Sequence, residues 1–259
     1  MTATHSAPKP IVGIVGLTGC AGDQLVVLNC ERELLDLAQL VDLREFPMAS
    51  SNGAEGVALD IAFVEGAVVS QRDEDVLHGV RERARTLVAL GTCAAWGGVA
   101  ALDRLFDRDQ LVRDVYGDAG AAFDTRPARS VRDVVAVEYV IPGCPIERDE
   151  LLQAIAHLLQ GNPPLPRDVP VCAECRMRES NCLLMERGVI CCGPVTVGGC
   201  NARCPAVGTP CIGCRGPSPD ANLPAALAAF AEQGIIQDEA RRRLELFAAI
   251  PISRTEEPA

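Results

Sequence analysis

Short apolar runs recur along the first half of the chain, and each stops at a polar or glycine-bearing turn. Ile11 to Val15 ends at Gly16, Asp60 to Val64 at Glu65-Gly66, Thr86 to Leu90 at Gly91-Thr92-Cys93, and Val134 to Ile141 at Pro142-Gly143-Cys144-Pro145. Runs of this length, rich in β-branched residues, predict buried strands. Between them the spacing changes. Val27, Cys30, Leu34 and Leu37 fall on one stripe and predict a helix over Gln24 to Leu40; Asp73 to Ala84 reads as a polar amphipathic helix and Glu147 to Leu159 as another. Strands alternating with helices predict an α/β fold with a parallel sheet in a flavodoxin-like, doubly wound order. The proline-rich stretch Gly161 to Pro170 reads as a linker, which divides the chain into residues 1–160 and 161–259. Beyond it regular periodicity fades, then returns over Leu223 to Ile250 as two helices expected to pack back onto the body. The second part therefore reads as a small irregular domain with C-terminal helices.

Composition agrees with covered parallel strands: Ala, Val, Leu and Gly dominate and aromatic residues are scarce. With 24 Lys and Arg against 35 Asp and Glu, the formal charge of −11 argues against nucleic acid as a partner. No apolar run reaches 18 residues, so no membrane-spanning helix is expected. Met1 to Pro10 shows neither a charged segment leading into an apolar one nor a twin arginine, so a cytoplasmic location is the expectation.

The cysteines change this picture. Of 13, nine lie between Cys172 and Cys214 in the pattern C-x2-C-x6-C-x8-C-C-x7-C-x3-C-x6-C-x2-C. A reducing compartment and an odd total disfavour complete disulfide pairing. Eight well-spaced thiolates suffice for two cubane iron–sulfur clusters. Two zinc sites of four cysteines are the competing reading, and such a chain would be a structural scaffold. The single cysteines separated by six, eight, seven and three residues suit zinc ribbons poorly, and His5, His78 and His157 all lie outside the block. Cys20, Cys93 and Cys144 each follow a predicted strand closely. The carboxyl ends of parallel strands share one edge of a sheet, so these three distant cysteines are expected to converge.

Thr18-Gly19-Cys20-Ala21-Gly22, Gly91-Thr92-Cys93-Ala94-Ala95-Trp96-Gly97-Gly98 and Pro142-Gly143-Cys144-Pro145 resemble the proximal-cluster motifs of nickel–iron hydrogenase small subunits. Cys191-Cys192-Gly193-Pro194-Val195-Thr196, Cys200-Asn201-Ala202-Arg203-Cys204-Pro205 and Pro210-Cys211-Ile212-Gly213-Cys214-Arg215-Gly216 resemble their medial and distal motifs. The similarity runs from about Ile11 to about Phe247 and is closest to the cytoplasmic, multimeric class, which includes sulfhydrogenase-type NAD(P)-linked and methyl-viologen-reducing enzymes. It implies three clusters, all [4Fe-4S]. Cys20, Cys93 and Cys144, with position 23, would hold the proximal one. Cys200, Cys204, Cys211 and Cys214 would hold the medial one, and Cys172, Cys175, Cys182 and Cys191 the distal one. It also implies two kinds of partner: a large subunit carrying the nickel–iron site, and a flavin or iron–sulfur subunit that reduces NAD(P) or another acceptor. This chain would contain no catalytic residue of its own and would relay electrons between the two. A related redox complex without hydrogenase activity is the alternative. The complex I subunit that carries the terminal cluster shares the first motifs but lacks the eight-cysteine block.

One departure stands out. Where the resembled motif reads C-x-x-C, this chain has Asp23 three residues after Cys20. Three readings stay open: Asp23 ligates through its carboxylate, Asp23 caps the helix starting at Gln24 and leaves an iron without a protein ligand, or Cys30 substitutes. Seven helical residues span about 10 Å, which weighs against Cys30 unless the helix breaks, and its place on the apolar stripe suits a small core residue. Cys192 reads as a buried non-ligand. Glu65 is either structural or solvated, or else lies near a partner and a proton path. Trp96, the single tryptophan, is expected beside the proximal motif, and Arg203 and Arg215 either offset thiolate charge or are solvated surface arginines. The glycine-rich turn after the first strand fits neither nucleotide-binding pattern, so any flavin or NAD(P) belongs on another subunit.

Overall fold

A computed structural model describes residues 8–51, 56–165 and 167–247. Five parallel strands form one sheet: β1 (Ile11–Gly16), β2 (Asp42–Glu45), β3 (Leu59–Glu65), β4 (Ala84–Leu90) and β5 (Tyr139–Ile141), in the order β2-β1-β3-β4-β5. This is the flavodoxin-like order expected from the alternating pattern. The central strands β1, β3 and β4 are buried on both faces because helices cover both. Ile61, Phe63, Val88 and Leu90 point into one core with Val27, Leu151 and Ala154. Their neighbours Ala62, Val64, Leu87 and Ala89 point into the other with Leu77 and Val80. The two-residue period of a strand places alternate side chains on opposite faces.

Three elements differ from the sequence pattern. The stretch Gln24 to Leu40 is two helices, α1 (Gly22–Leu28) and α2 (Glu31–Leu40). At the break the Cys30 N–H turns to the Val27 carbonyl at 3.1 Å, while the Cys30 thiol donates to the Val26 carbonyl at 3.2 Å. The thiol thus takes the acceptor that the next helical bond would use. Of the predicted stripe, the Leu34 side chain lies outside the described residues. β2 was not expected, because Asp42-Leu43-Arg44-Glu45 is a polar edge strand without an apolar face. The run Val134 to Ile141 is a strand only over its last three residues; a 3₁₀ turn at Val131–Asp133, closed by a Ser130–Asp133 capping box, precedes it.

The remaining helices of the first part are α3 (Gln71–Arg83), α4 (Gly91–Trp96), α5 (Arg108–Tyr116) and α6 (Arg148–Leu159). The described residues between Gly161 and Pro170 form no helix or strand. The cysteine block holds only short helices: α7 (Val171–Met177), α8 (Leu183–Arg187) and α9 (Arg203–Ala206). The last two are α10 (Leu223–Glu232), capped by the Asn222 side chain, and α11 (Gln237–Glu245). Residues 248–250 of the predicted final helix lie outside the described residues. A third core joins these helices to the cysteine block through Phe230, Leu244, Ala202, Cys192 and Cys211, and Trp96 packs against it from the first part. Among the described residues no helix is long and apolar enough to cross a membrane.

Candidate metal centre

The sheet register aligns the ends of four strands. Gly16 pairs with Glu65, Glu65 with Leu90, and Leu90 with Ile141. Cys20, Cys93 and Cys144 follow this row by three or four residues, so they emerge at one edge. The β1/β3 gap, where the strand order reverses, lies beside them, as expected for a ligand site in an open parallel sheet. Burial and the mutual repulsion of the thiolates bring the groups into one electrostatic unit. Burial, Asp23 and Cys20 push the Cys93 thiol up to about 11. Burial, Cys93, Asp23, Cys214 and Cys20 push Cys144 up to about 12.

Asp23 is inside this unit, not at its margin. It is 6% exposed, and its Oδ1 accepts the Ile146 N–H at 2.8 Å. Oδ2 faces Gly91, where a Cβ would overlap the carboxylate, so only glycine, here at φ 83°, fits. Burial lifts the Asp23 carboxyl to about 7, against the pull of the Ile146 N–H and with a further push from Glu65. The capping reading does not hold. Helix α1 begins at Gly22, its cap is Ala21, and no side chain caps it. Cys30 does not join the set either. The helix does break, but the thiol is 1% exposed in the sheet core and donates to Val26. Glu65 is 2% exposed rather than solvated, and its Oε2 accepts from Gln24 Nε2 at 2.7 Å. Burial raises the Glu65 carboxyl despite that bond.

The cysteine block approaches the same edge. A cavity of about 210 Å³ is lined by Cys200, Cys204, Cys211, Cys214 and Cys144, with Glu147, Arg203 and Arg215. Thr92 ties its wall to the strand ends: its Oγ1 donates to the Cys214 carbonyl at 2.5 Å and accepts the Gly143 N–H at 3.3 Å. Against the push of burial, the Cys144 backbone N–H pulls the Cys214 thiol down. Cys200 and Cys204 act on Cys214, whose thiol burial already raises. The Cys211 thiol is likewise pushed up by burial.

A separate group forms around α7 and α8. Burial, with Cys191, Cys175 and Cys182 adding repulsion, pushes Cys172 up to about 12. Cys175, also raised, feels burial first and then Cys191 and Cys182. Cys182 is exposed, so this group reaches the surface. Cys192 is fully buried between the two groups, and burial pushes it up to about 12. Trp96 lies against Gly216, where a Cβ would meet the indole at 2.7 to 2.8 Å. Arg203 is largely exposed and paired with Glu147, whereas Arg215 is buried.

One contributor had no signal in the spacing. Glu174, within the first C-x2-C pair, accepts the Gly199 N–H at 2.6 Å and the Ala202 N–H at 3.0 Å and so fixes the turn carrying Cys200. A glutamate between two cysteines looks like a solvated charge until the fold closes.

The donor set fits iron–sulfur clusters. Ligands of a single tetrahedral zinc ion would meet at sulfur–sulfur distances of about 3.8 Å, from a bond of about 2.3 Å. Among the described residues no three His, Cys, Asp or Glu side chains are arranged to hold one metal ion. Instead Cys144, Cys200, Cys204, Cys211 and Cys214 line a cavity with room for a polynuclear centre. Buried thiols with raised proton affinity also bind only by releasing protons, as thiolate ligands do.

Comparison with known proteins agrees with this geometry. The model of the family described as NADH ubiquinone oxidoreductase, 20 kDa subunit, matches residues 20–158, which start after β1 and end before the cysteine block. The similarity to hydrogenase subunits goes further along the chain. Sulfhydrogenase 2 subunit delta of Pyrococcus furiosus is 40% identical over 238 residues, 92% of this chain and 98% of its own length. A subunit of the F420-non-reducing hydrogenase vhu of Methanococcus voltae is 32% identical over 240 residues, 81% of this chain and 83% of its own. Among solved structures, a chain of NAD+-reducing [NiFe]-hydrogenase in the H2-reduced state superposes with a TM-score of 0.54 at 27% identity, covering 61% of this chain and 95% of that one. The chain thus belongs to the NADH ubiquinone oxidoreductase 20 kDa subunit family and, through the cysteine block that the family model does not reach, to its hydrogenase small subunits.

Proposed function

We propose that this chain is the electron-transfer small subunit of a cytoplasmic nickel–iron hydrogenase, acting on H2 only as part of that complex. The observation that supports this best is the position of Cys144, which belongs to the strand-end set and also lines the cavity of the cysteine block. Residues 1–160 form the flavodoxin-like domain and residues 161–259 the cysteine-rich domain. Cys20, Asp23, Cys93 and Cys144 hold the proximal cluster. Cys200, Cys204, Cys211 and Cys214 hold the medial cluster, and Cys172, Cys175, Cys182 and Cys191 the distal one, each a [4Fe-4S] centre. Bound there, the clusters supply one-electron carriers between the nickel–iron site of a large subunit and a flavin or iron–sulfur subunit that reduces NAD(P) or another acceptor.

The residues of this chain do the rest. The sheet fixes the spacing of the strand-end cysteines. Thr92 holds the loops of Cys144 and Cys214 together. Apolar packing by Phe230, Val195 and Ala202 keeps water from the cysteine block. Cys182 is exposed, which supports a distal set within reach of an acceptor subunit. Iron, acid-labile sulfide and nickel measured on the anaerobically purified complex test the proposal. About twelve iron per copy of this chain, with nickel in the partner, is the expected result. Twelve iron without nickel moves the function to a related redox complex without hydrogenase activity, and zinc with little iron overturns electron transfer altogether.

A further inference from the structure

Arg215 is the largest fully buried side chain in the molecule's described core, at 1% exposure, directly after Cys214. A buried arginine needs most of its five donors satisfied, and here two regions share the task. Its Nε donates to the carbonyls of Gly198 at 2.9 Å and Val197 at 3.3 Å, within the cysteine block. One terminal nitrogen donates to the Pro142 carbonyl at 2.9 Å, two residues before Cys144. The other forks onto both oxygens of Glu150 on α6, at 2.9 and 2.7 Å. Gly199 makes way for it, since a Cβ there would overlap the guanidinium. Arg215 lines the thiol cavity, and Glu150 stands behind it without lining that cavity. The pair is therefore oriented, with its positive end toward the four cysteines.

We propose that Arg215, with Glu150 as its counter-charge, is a positioning residue that pins the cysteine block to the strand ends and biases the medial set toward the reduced state. The inference rests on the functional reading above, in which Cys200, Cys204, Cys211 and Cys214 hold a cluster. Four thiolates already crowd negative charge into a buried cavity, and reduction adds one more. A fixed cation at the wall favours the reduced form, and a poorly screened interior strengthens its effect. Glu150 weakens that effect without cancelling it, because it is farther from the cavity. In the other ion pair at the cavity the Arg203 side chain is 72% exposed and Glu147 20%, so solvent screens that cation far more than it screens buried Arg215. Lysine would keep the charge but lose the fork that reaches Pro142, Gly198 and Glu150 together.

The two charges make opposite predictions, which separates an electrostatic role from a merely structural one. EPR-monitored redox titration of the assembled complex, with dithionite as reductant, reads the midpoint of the medial signal. Arg215→Gln shifts it down, Glu150→Gln shifts it up, and Arg215→Lys stays nearer the parent than Arg215→Gln. Shifts in the same direction for the first two, or none in either, overturn the proposal. Should Arg215→Gln fail to assemble with iron, the near-isosteric Glu150→Gln decides alone: an unchanged or lowered midpoint overturns the proposal. A parent complex with no iron–sulfur signal from this set overturns the functional reading instead, and the inference with it.

Discussion

Ala62, Val64, Leu87, Val88, Ala89 and Leu90 in the central strands are completely buried, and all six lie within one regular parallel ladder. Cys192, Cys211 and Arg215 in the cysteine block are almost as inaccessible, yet no strand of the sheet includes them and the block's own helices, α7 to α9, are short. The first region buries apolar side chains against one another, which is enough to define a fold. The second buries thiols and charged groups that cost free energy to remove from water unless something engages them. Thr92, Glu174, Glu150 and Arg215 engage some of the polar groups; the thiols are suited to metal. The two regions draw their stability from different sources: the sheet carries its own, while the cysteine block carries a binding site whose occupant completes it.

Removing iron is the harshest test of that comparison. Oxidative extraction with a chelator is expected to abolish amide-exchange protection across 171–216 and to weaken α10 and α11, which share a core with Cys192 and Cys211. Strands β1, β3 and β4 are expected to stay protected. Hydrogen exchange read by mass spectrometry reports both regions at once. Simultaneous loss of protection in the sheet would show that the two regions are one cooperative unit, and the comparison would fail.

The same contrast explains what the sequence made legible. Short apolar runs ended by glycine-bearing turns gave the sheet, and with it the shared edge on which Cys20, Cys93 and Cys144 stand. Cysteine spacing gave a metal-binding block. The polar edge strand β2 escaped notice because Asp42, Arg44 and Glu45 bury no apolar face; its evidence is a register with β1, which is non-local. The break before α2 escaped for a related reason, since a thiol competing for one carbonyl leaves no mark in hydrophobic spacing. Arg215 with Glu150, and Glu174 with Gly199, pair residues 65 and 25 positions apart, and such pairs become visible only when the chain has closed.

A smaller effect, at one site of the sheet edge, sharpens the position of Asp23. Two jobs are separable there: accepting the Ile146 N–H, and ligating iron. Asp23→Cys removes the acceptor, leaving a buried N–H unpaired at a cost of about 1–3 kcal/mol in either case. If Asp23 also ligates, the proximal EPR signal and its midpoint change as thiolate replaces the harder carboxylate. An altered melting temperature with an unaltered signal and midpoint would leave Asp23 as the Ile146 partner alone.

The smallest effect belongs at the far edge of the sheet, where the ladder runs short. β5 begins only at Tyr139, so the Leu87 N–H has no strand partner and donates instead to Glu138 Oε2 at 2.6 Å. Arg81 holds the same carboxylate at 2.8 Å. Partial burial works against ionisation, but the Leu87 N–H and the Arg81 guanidinium outweigh it and keep the Glu138 carboxyl below its ordinary value of 4.5. A depressed acid binds fewer protons when folded than when unfolded, so its contribution is full above that ordinary value and is lost as the pH falls through the folded one. Because Glu138 is 39% exposed, solvent screening holds the whole effect to less than about 1 kcal/mol. Denaturant midpoints of the parent and Glu138→Gln, compared from pH 7 to below pH 4.5, should differ most at neutral pH and converge in acid. A gap that stays constant over that range would mean that ionisation of the carboxylate does nothing for the ladder.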